Sequence, residues 1–97
     1  MGYYLLEYAL IDDYIARRAA FRKEHLALAQ EARRRGDLIL AGALAEPADR
    51  AVLVWRTDDR STFERFVDAD PYVQSGLVTS WTIRSWTVVV GDGTGPT

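Results

Sequence analysis

The 97-residue sequence predicts a single α+β domain with a ferredoxin-like βαββαβ fold and a four-stranded antiparallel sheet. Strand-like and helix-like segments follow one another in that order, 48% of the residues are hydrophobic, and no internal repeat or long linker divides the chain. We assign residues 1–90 to the domain and residues 91–97 (GDGTGPT) to a flexible C-terminal tail.

The first half of the chain supplies two strands and one long helix. Residues 3–10 (YYLLEYAL) are apolar at nearly every position, which is typical of a strand buried on both faces. A pair of aspartates then provides an N-cap for a helix that runs to about Arg35 and ends at Gly36, a left-handed C-cap. We interpret the three arginines 33–35 as charge that favours a helix C-terminus, not as a phosphate site. Residues 37–44 form the second strand.

The second half repeats the pattern with a shorter helix. Residues 51–57 (AVLVWRT) are again apolar on both faces and form the third strand. Ser61 and Glu64 have the spacing of a capping box and begin the second helix. Asp70 followed by proline begins a further helical turn, and residues 80–90 form the fourth strand.

Both faces of this sheet require cover. Right-handed crossovers place both helices on one face, yet the first, third and fourth strands carry apolar residues on both faces, including Trp55, Trp81 and Trp86. An exposed patch of that size is unusual in a monomer. We therefore expect a homodimer that packs sheet to sheet.

Composition excludes several classes of protein. The absence of cysteine removes disulfides, zinc–thiolate sites and cysteine nucleophiles. No apolar run reaches the roughly 20 residues of a membrane helix, and the N-terminus has no signal-peptide pattern, so we expect a cytoplasmic protein without a membrane partner. The net charge of −2 and the lack of a basic-aromatic third strand argue against nucleic acid. With one histidine and no cysteine we expect no metal site, and a haem ligand role for that histidine lacks a supporting motif.

Three polar residues interrupt the apolar face of the first helix. Arg18, Arg22 and His25 follow one another at the i+4 and i+3 spacings that bring side chains together on a helix. Charged side chains that point toward the sheet are removed from water and therefore need partners of opposite charge. Carboxylates such as Glu7 or Asp70 can supply them in a buried network; alternatively, the three residues line a pocket in which His25 titrates and an arginine holds an anion.

Three sequence blocks carry a resemblance to a known family: residues 22–26 (RKEHL), 36–42 (GDLILAG) and 68–73 (DADPYV) with the following Gly-Leu pair. They resemble the YCII (YciI-related) family of small dimeric α/β-barrel proteins. The resemblance implies a ferredoxin-like protomer, a homodimer with a shared barrel, and an active site on a His25–Asp70 pair. Arg22, Gly42 and Tyr72 would lie nearby. Alanine follows Gly42 where many relatives have proline.

These residues favour a cofactor-independent enzyme. His25 would move a proton, Asp70 would orient the imidazole, and Arg22, with Arg18, would hold a substrate oxygen. Such a grouping suits lyase or isomerase chemistry on a small cyclic or acidic molecule, whereas no serine stands in a nucleophile context. The alternative is a non-catalytic module that binds a small ligand or assists a biosynthetic pathway. A cavity that reaches His25 would distinguish the first from the second.

Overall fold

The computed structural model describes residues 2–91 and confirms the predicted βαββαβ order. Its elements are β1 (Gly2–Leu10), α1 (Tyr14–Arg17), a single 3-10 turn (Arg18–Ala20), α2 (Arg22–Arg34), β2 (Leu38–Ala43), β3 (Arg50–Thr57), α3 (Ser61–Ala69), α4 (Pro71–Gln74) and β4 (Val78–Trp86). The predicted tail lies outside the described residues except for Gly91. No helix within residues 2–91 is long and apolar enough to cross a membrane.

The four strands form one antiparallel sheet in the order β2-β3-β1-β4. The most apolar strands, β1 and β3, are therefore central, and β2 and β4 are the edges. A register shift between Leu38 and Leu40 marks a bulge in β2, and a second lies between Ala9 and Leu10 where β1 pairs with β4. The α+β ferredoxin-like prediction is thus confirmed.

All helices cover one face of the sheet, where they enclose the core. Alternate residues of the strands point toward the helices, as the period of two requires. The core consists of aliphatic and aromatic side chains: Leu6, Tyr8, Leu10, Tyr14, Ala32, Leu38, Ala51, Leu53, Trp55, Phe63, Phe66, Val67, Tyr72, Leu77 and Val78. One charged residue, Asp70, is completely buried beside this cluster.

Within residues 2–91, no helix covers the opposite face of the sheet. Strand pairing places Leu5 between Val54 and Arg84, and Tyr3 between Arg56 and Trp86. Leu40 and Trp86 are 64% and 46% exposed. The face carries apolar residues on its central strands, with Glu7 among them and arginines around them.

The three tryptophans do not share that face. Trp55 is completely buried under the helices. Trp81 pairs with Tyr8, so it points to the helix side and is 39% exposed because β4 is an edge strand. Only Trp86 of the three belongs to the open face.

The prediction of one long first helix is wrong, because the chain forms a 3-10 turn at Arg18–Ala20 before α2 begins. The break changes the helical register, which is why Ile15 is 53% exposed although the uninterrupted pattern places it on the apolar face. Asp13 occupies the N-cap position of α1 without a side-chain hydrogen bond. Gly36 has a φ of +84° and confirms the predicted left-handed C-cap.

Two other boundaries differ from the prediction. The sheet pairing of β4 ends at Trp86, opposite Tyr3, so residues 87–90 (TVVV) lie outside the sheet although their β-propensity is high. Helix α3 begins near the predicted Ser61, but the capping oxygen is Asp59 Oδ1. It accepts hydrogen bonds from the Ser61 amide at 2.9 Å and hydroxyl at 2.8 Å, and these bonds lower the pKa of Asp59.

Candidate functional site

Asp70 occupies the turn between α3 and α4, where its side chain caps α4. Its Oδ1 accepts a hydrogen bond from the Tyr72 amide at 3.0 Å, as the Asp-Pro spacing predicts. The carboxylate is 0% exposed and also accepts hydrogen bonds from two side chains, which are described next. Because a buried carboxylate is costly without such donors, the three hydrogen bonds are what allow it to remain in the core.

His25, on the first turn of α2, is one of these side chains. Its Nδ1 lies 2.8 Å from Asp70 Oδ1, so the predicted contact is present. The imidazole also stacks on the Tyr72 ring, with centroids 3.8 Å apart and an interplanar angle of 8°. Since a carboxylate accepts, Nδ1 carries the hydrogen, and the lone pair of the neutral ring is on Nε2. Among residues 2–91, no side chain or backbone group hydrogen-bonds Nε2.

Tyr8, on β1, is the other side chain and was not predicted. Its hydroxyl donates to Asp70 Oδ2 at 2.8 Å, and the residue is only 1% exposed. Burial, followed by the negative charge of Asp70 and this hydrogen bond, raises the pKa of Tyr8 far above its usual value. A usable signal was present, because a tyrosine on the core face of a strand needs a partner for its hydroxyl. The sequence does not identify that partner.

A cavity of about 400 Å³ lies between α2 and β2 and reaches the histidine. Small residues make the space, since Ala29, Ala41, Gly42, Ala43 and Ala51 line it and leave the gap between helix and strand unfilled. Its other lining residues are Tyr8, Tyr14, Arg18, Arg22, His25, Leu26, Gln30, Arg33, Leu38, Ile39, Leu40, Leu53 and Tyr72.

The charged side chains that line this cavity in the described chain are arginines, and the Asp70 carboxylate lies behind His25 and Tyr8. Three arginines line it, and the lining contains no aspartate or glutamate. Arg18 is half-buried with its guanidinium carbon 5.4 Å from the Tyr14 ring centroid, and Arg22 is exposed. Of the two alternatives, the buried ion-pair network is therefore not what the structure shows for these two arginines. They lie at the accessible wall of the cavity, so among the three predicted polar residues only His25 joins a hydrogen-bonded network within residues 2–91.

Tyr72 and Gly42 both line the cavity. The Tyr72 hydroxyl is buried without a hydrogen-bond partner in the described chain, and burial, then the neighbouring Tyr14 phenol, raises the pKa of Tyr72. Gly42 lines the cavity at the edge of the sheet. The bulge of β2 lies after Leu38, and a Cβ added at Gly42 meets no described atom within 4 Å.

The site offers general acid–base groups and cations. No cluster of three or more histidine, cysteine, aspartate or glutamate side chains that could hold a metal ion occurs within residues 2–91. The arrangement of a buried carboxylate, an oriented imidazole with a free nitrogen, and arginines around a cavity is suited to moving a proton on an anionic molecule.

Comparison with solved structures supports the fold. The chain is similar to 5-chloro-2-hydroxyhydroquinone dehydrochlorinase from Burkholderia phenoliruptrix AC1100, in complex with 2,5-dihydroxybenzoquinone, with a TM-score of 0.73, 15% identity, and coverage of 88% of this chain and 93% of that one. It is similar to protein Atu4242 from Agrobacterium tumefaciens, with a TM-score of 0.60, 15% identity and full coverage of both chains. An antibiotic biosynthesis monooxygenase matches with a TM-score of 0.57, 12% identity, and coverage of 93% and 100%.

The sequence comparisons identify the family. No curated protein matches the sequence. Residues 1–87 match the YCII-related domain, which covers β1 through β4 and all the candidate site residues. The resemblance seen in the sequence blocks is thereby confirmed, and the chain belongs to the YCII-related family.

Proposed function

We propose that this protein is a cofactor-independent enzyme that transfers a proton on a small cyclic or acidic molecule, in a lyase or isomerase reaction. The observation that carries the proposal is the 2.8 Å contact between His25 Nδ1 and the buried Asp70 carboxylate at the wall of a cavity lined by arginines. A histidine that serves only the fold does not need to line an open cavity, as His25 does.

The roles follow from this geometry. Asp70 holds the imidazole in the tautomer with hydrogen on Nδ1, so Nε2 takes the proton from a carbon or oxygen of the substrate. The negative charge that develops on the substrate is stabilised by Arg22 and Arg18. The proton then returns to another atom in an isomerisation, or an anionic leaving group departs in an elimination. Each proton and electron pair is accounted for without an oxidant or reductant.

Cavity size and charge support a substrate of this kind. A volume of about 400 Å³ is within the usual range of small-molecule sites. A chain with a net charge of −2 that lines its cavity with three arginines and no carboxylate favours an anionic ligand. The structurally similar dehydrochlorinase, named for the elimination of a chloride from a hydroxylated ring, supplies a first substrate for trial.

The test is turnover that depends on His25. Wild-type protein and His25→Gln are incubated with 5-chloro-2-hydroxyhydroquinone under anaerobic conditions, and chloride release is followed. In parallel, deuterium incorporation from D₂O into a panel of small enolisable acids is followed by NMR. We expect His25-dependent chloride release or exchange. Binding of these compounds without either reaction would support the alternative, a non-catalytic ligand-binding or accessory module.

We also propose that the protein acts as a homodimer. The helix-free face of the sheet carries Leu5, Val54 and the exposed Leu40, and a second copy covers it best because the same apolar rows meet across a two-fold axis. Glu7, in the middle of this face, has its Oε1 3.6 Å from Arg50 Nη1, so its charge is balanced within the chain. A cytoplasmic location stays a prediction.

A further inference from the structure

The arginine run at the end of α2 divides into paired and unpaired members. Arg34 forms an ion pair with Glu31, and Arg35 forms ion pairs with Glu31 at 3.8 Å and with Asp37 at 3.2 Å. Arg33 has no carboxylate partner in the described chain. Its Nη1 only approaches the Leu38 carbonyl, at the long distance of 3.5 Å, and the residue lines the cavity. Ion pairs at the end of the helix therefore account for Arg34 and Arg35. They do not account for Arg33.

Arg33 lies at the opposite end of the cavity from the proposed base. Residues of α2 line the cavity at 22, 25, 26, 29, 30 and 33, which is a single stripe along one helix face. The rise of 1.5 Å per residue separates His25 from Arg33 by about 12 Å, and Arg22 from Arg33 by about 16 Å. All of β2 lines the other wall, and its six residues span about 17 Å.

The lining of the cavity runs along both walls for about 16 Å, from the end that carries Arg22 to the end that carries Arg33. Between the charged ends, the lining is mostly apolar: Leu26 and Ala29 on α2 face Ala41 and Ala43 on β2, with Gln30 as the one polar residue of α2 in this stretch. The cavity is thus cationic at both ends and mostly apolar in its middle.

We propose that Arg33 is a second anion-binding residue, and that the ligand is an elongated molecule with two oxyanionic groups joined by an apolar segment. This rests on the proposed function, which places the reacting group at His25 and Arg22. The distal group is a carboxylate or phosphate held by Arg33, about 12 Å from the imidazole along the helix. An apolar spacer of about eight methylene groups covers that distance and meets Leu26 and Ala29.

Calorimetric titration of the whole chain with two probes tests this. Decanedioate and decanoate have the same chain length and differ only in the second carboxylate. Since Arg33 is exposed, its ion pair is worth a modest amount, and we expect Arg33→Met to weaken decanedioate binding about threefold to tenfold while leaving decanoate unchanged. High salt should abolish the difference between wild type and variant. Arg34→Met, which removes an arginine already paired, is the matched control and should bind both probes as the wild type does.

Three results would overturn the inference: equal decanedioate affinity in Arg33→Met and wild type, an equal loss in Arg34→Met, or no binding of either probe by the wild type. Thermal unfolding of both variants checks that the fold is retained, as expected for exposed side chains. The proposed function is judged separately, because it is tested by His25-dependent turnover and not by these affinities. Decanedioate binding that depends on Arg22 but not on Arg33 would retain the first site and reject only the second.

Discussion

Replacing Tyr8 with phenylalanine removes one oxygen atom from the centre of the proposed site. That hydroxyl donates a 2.8 Å hydrogen bond to Asp70 Oδ2, and both residues are buried. A hydrogen bond to a charged group contributes about 1.5–3 kcal/mol, because the acceptor left behind cannot reach water. Asp70 keeps its donors from His25 and Tyr72, so we expect a loss of about 1.5–3 kcal/mol and not the larger cost of an isolated buried charge. For a domain of this size that lowers the melting temperature by roughly 6–24 °C.

Thermal and urea unfolding at one fixed protein concentration measure this effect, since a dimer would make the melting temperature depend on concentration. The matched control is Tyr72→Phe. The Tyr72 hydroxyl is buried without a hydrogen-bond partner among the described residues, so its removal should leave stability unchanged or increase it. If Tyr8→Phe stays within about 0.5 kcal/mol of the wild type, the Tyr8–Asp70–His25 network does not hold the site together.

Four further predictions follow from the same contacts. In Asp70→Asn, an amide NH₂ group that donates hydrogen bonds replaces a carboxylate oxygen that accepts them from Tyr8 and His25. We expect urea unfolding to show a free energy of unfolding about 3–5 kcal/mol lower than in the wild type, a larger loss than for Tyr8→Phe. His25→Gln keeps a donor for Asp70 whereas His25→Leu does not, so Leu should be about 1–3 kcal/mol less stable than Gln while both lack activity; equal stability would contradict the hydrogen bond. The raised pKa of Tyr8 means that the folded protein favours the neutral phenol. This stabilisation is fully present below pH 10.0, the pKa of an unperturbed tyrosine, and is lost at higher pH. The free energy of unfolding should therefore fall above about pH 10, and it should fall less steeply in Tyr8→Phe. Light scattering should give twice the chain mass of 10.9 kDa, and a stable monomer at micromolar concentration would reject the sheet-to-sheet dimer.

Element order and the central pair of the site could be predicted because each has a local signal. Asp70 before proline indicates an N-cap whatever the tertiary structure, and the blocks that carry His25 and Asp70 indicate the family. The 3-10 turn at Arg18–Ala20 could not be predicted, because neither proline nor glycine marks it and the apolar period continues across it. The prediction that the fourth strand continues to residue 90 was wrong, because a segment of high β-propensity still needs a neighbouring strand to pair with.

Tertiary neighbours determine the remaining site residues. In the sequence, Tyr8 is one of several apolar residues in a buried strand. Only the structure shows that its hydroxyl contacts Asp70. The sequence does not distinguish the three arginines 33–35 from one another. In the structure, Arg34 and Arg35 form ion pairs with Glu31 and Asp37, whereas Arg33 lines the cavity. Sequence spacing indicates which residues share a helix face, but not which charges already have partners.

The central claim is that Asp70 holds His25 with its hydrogen on Nδ1 and leaves Nε2 open to a ligand. Because the chain has one histidine, two-bond ¹H–¹⁵N correlation spectra of ¹⁵N-labelled protein report on this ring without ambiguity. At a pH where the ring is neutral, we expect an Nδ1–H tautomer in the wild type and a change in the Nε2 shift when 2,5-dihydroxybenzoquinone is added. A ring with hydrogen on Nε2, or an Nε2 resonance that no anionic ligand moves, would contradict the account.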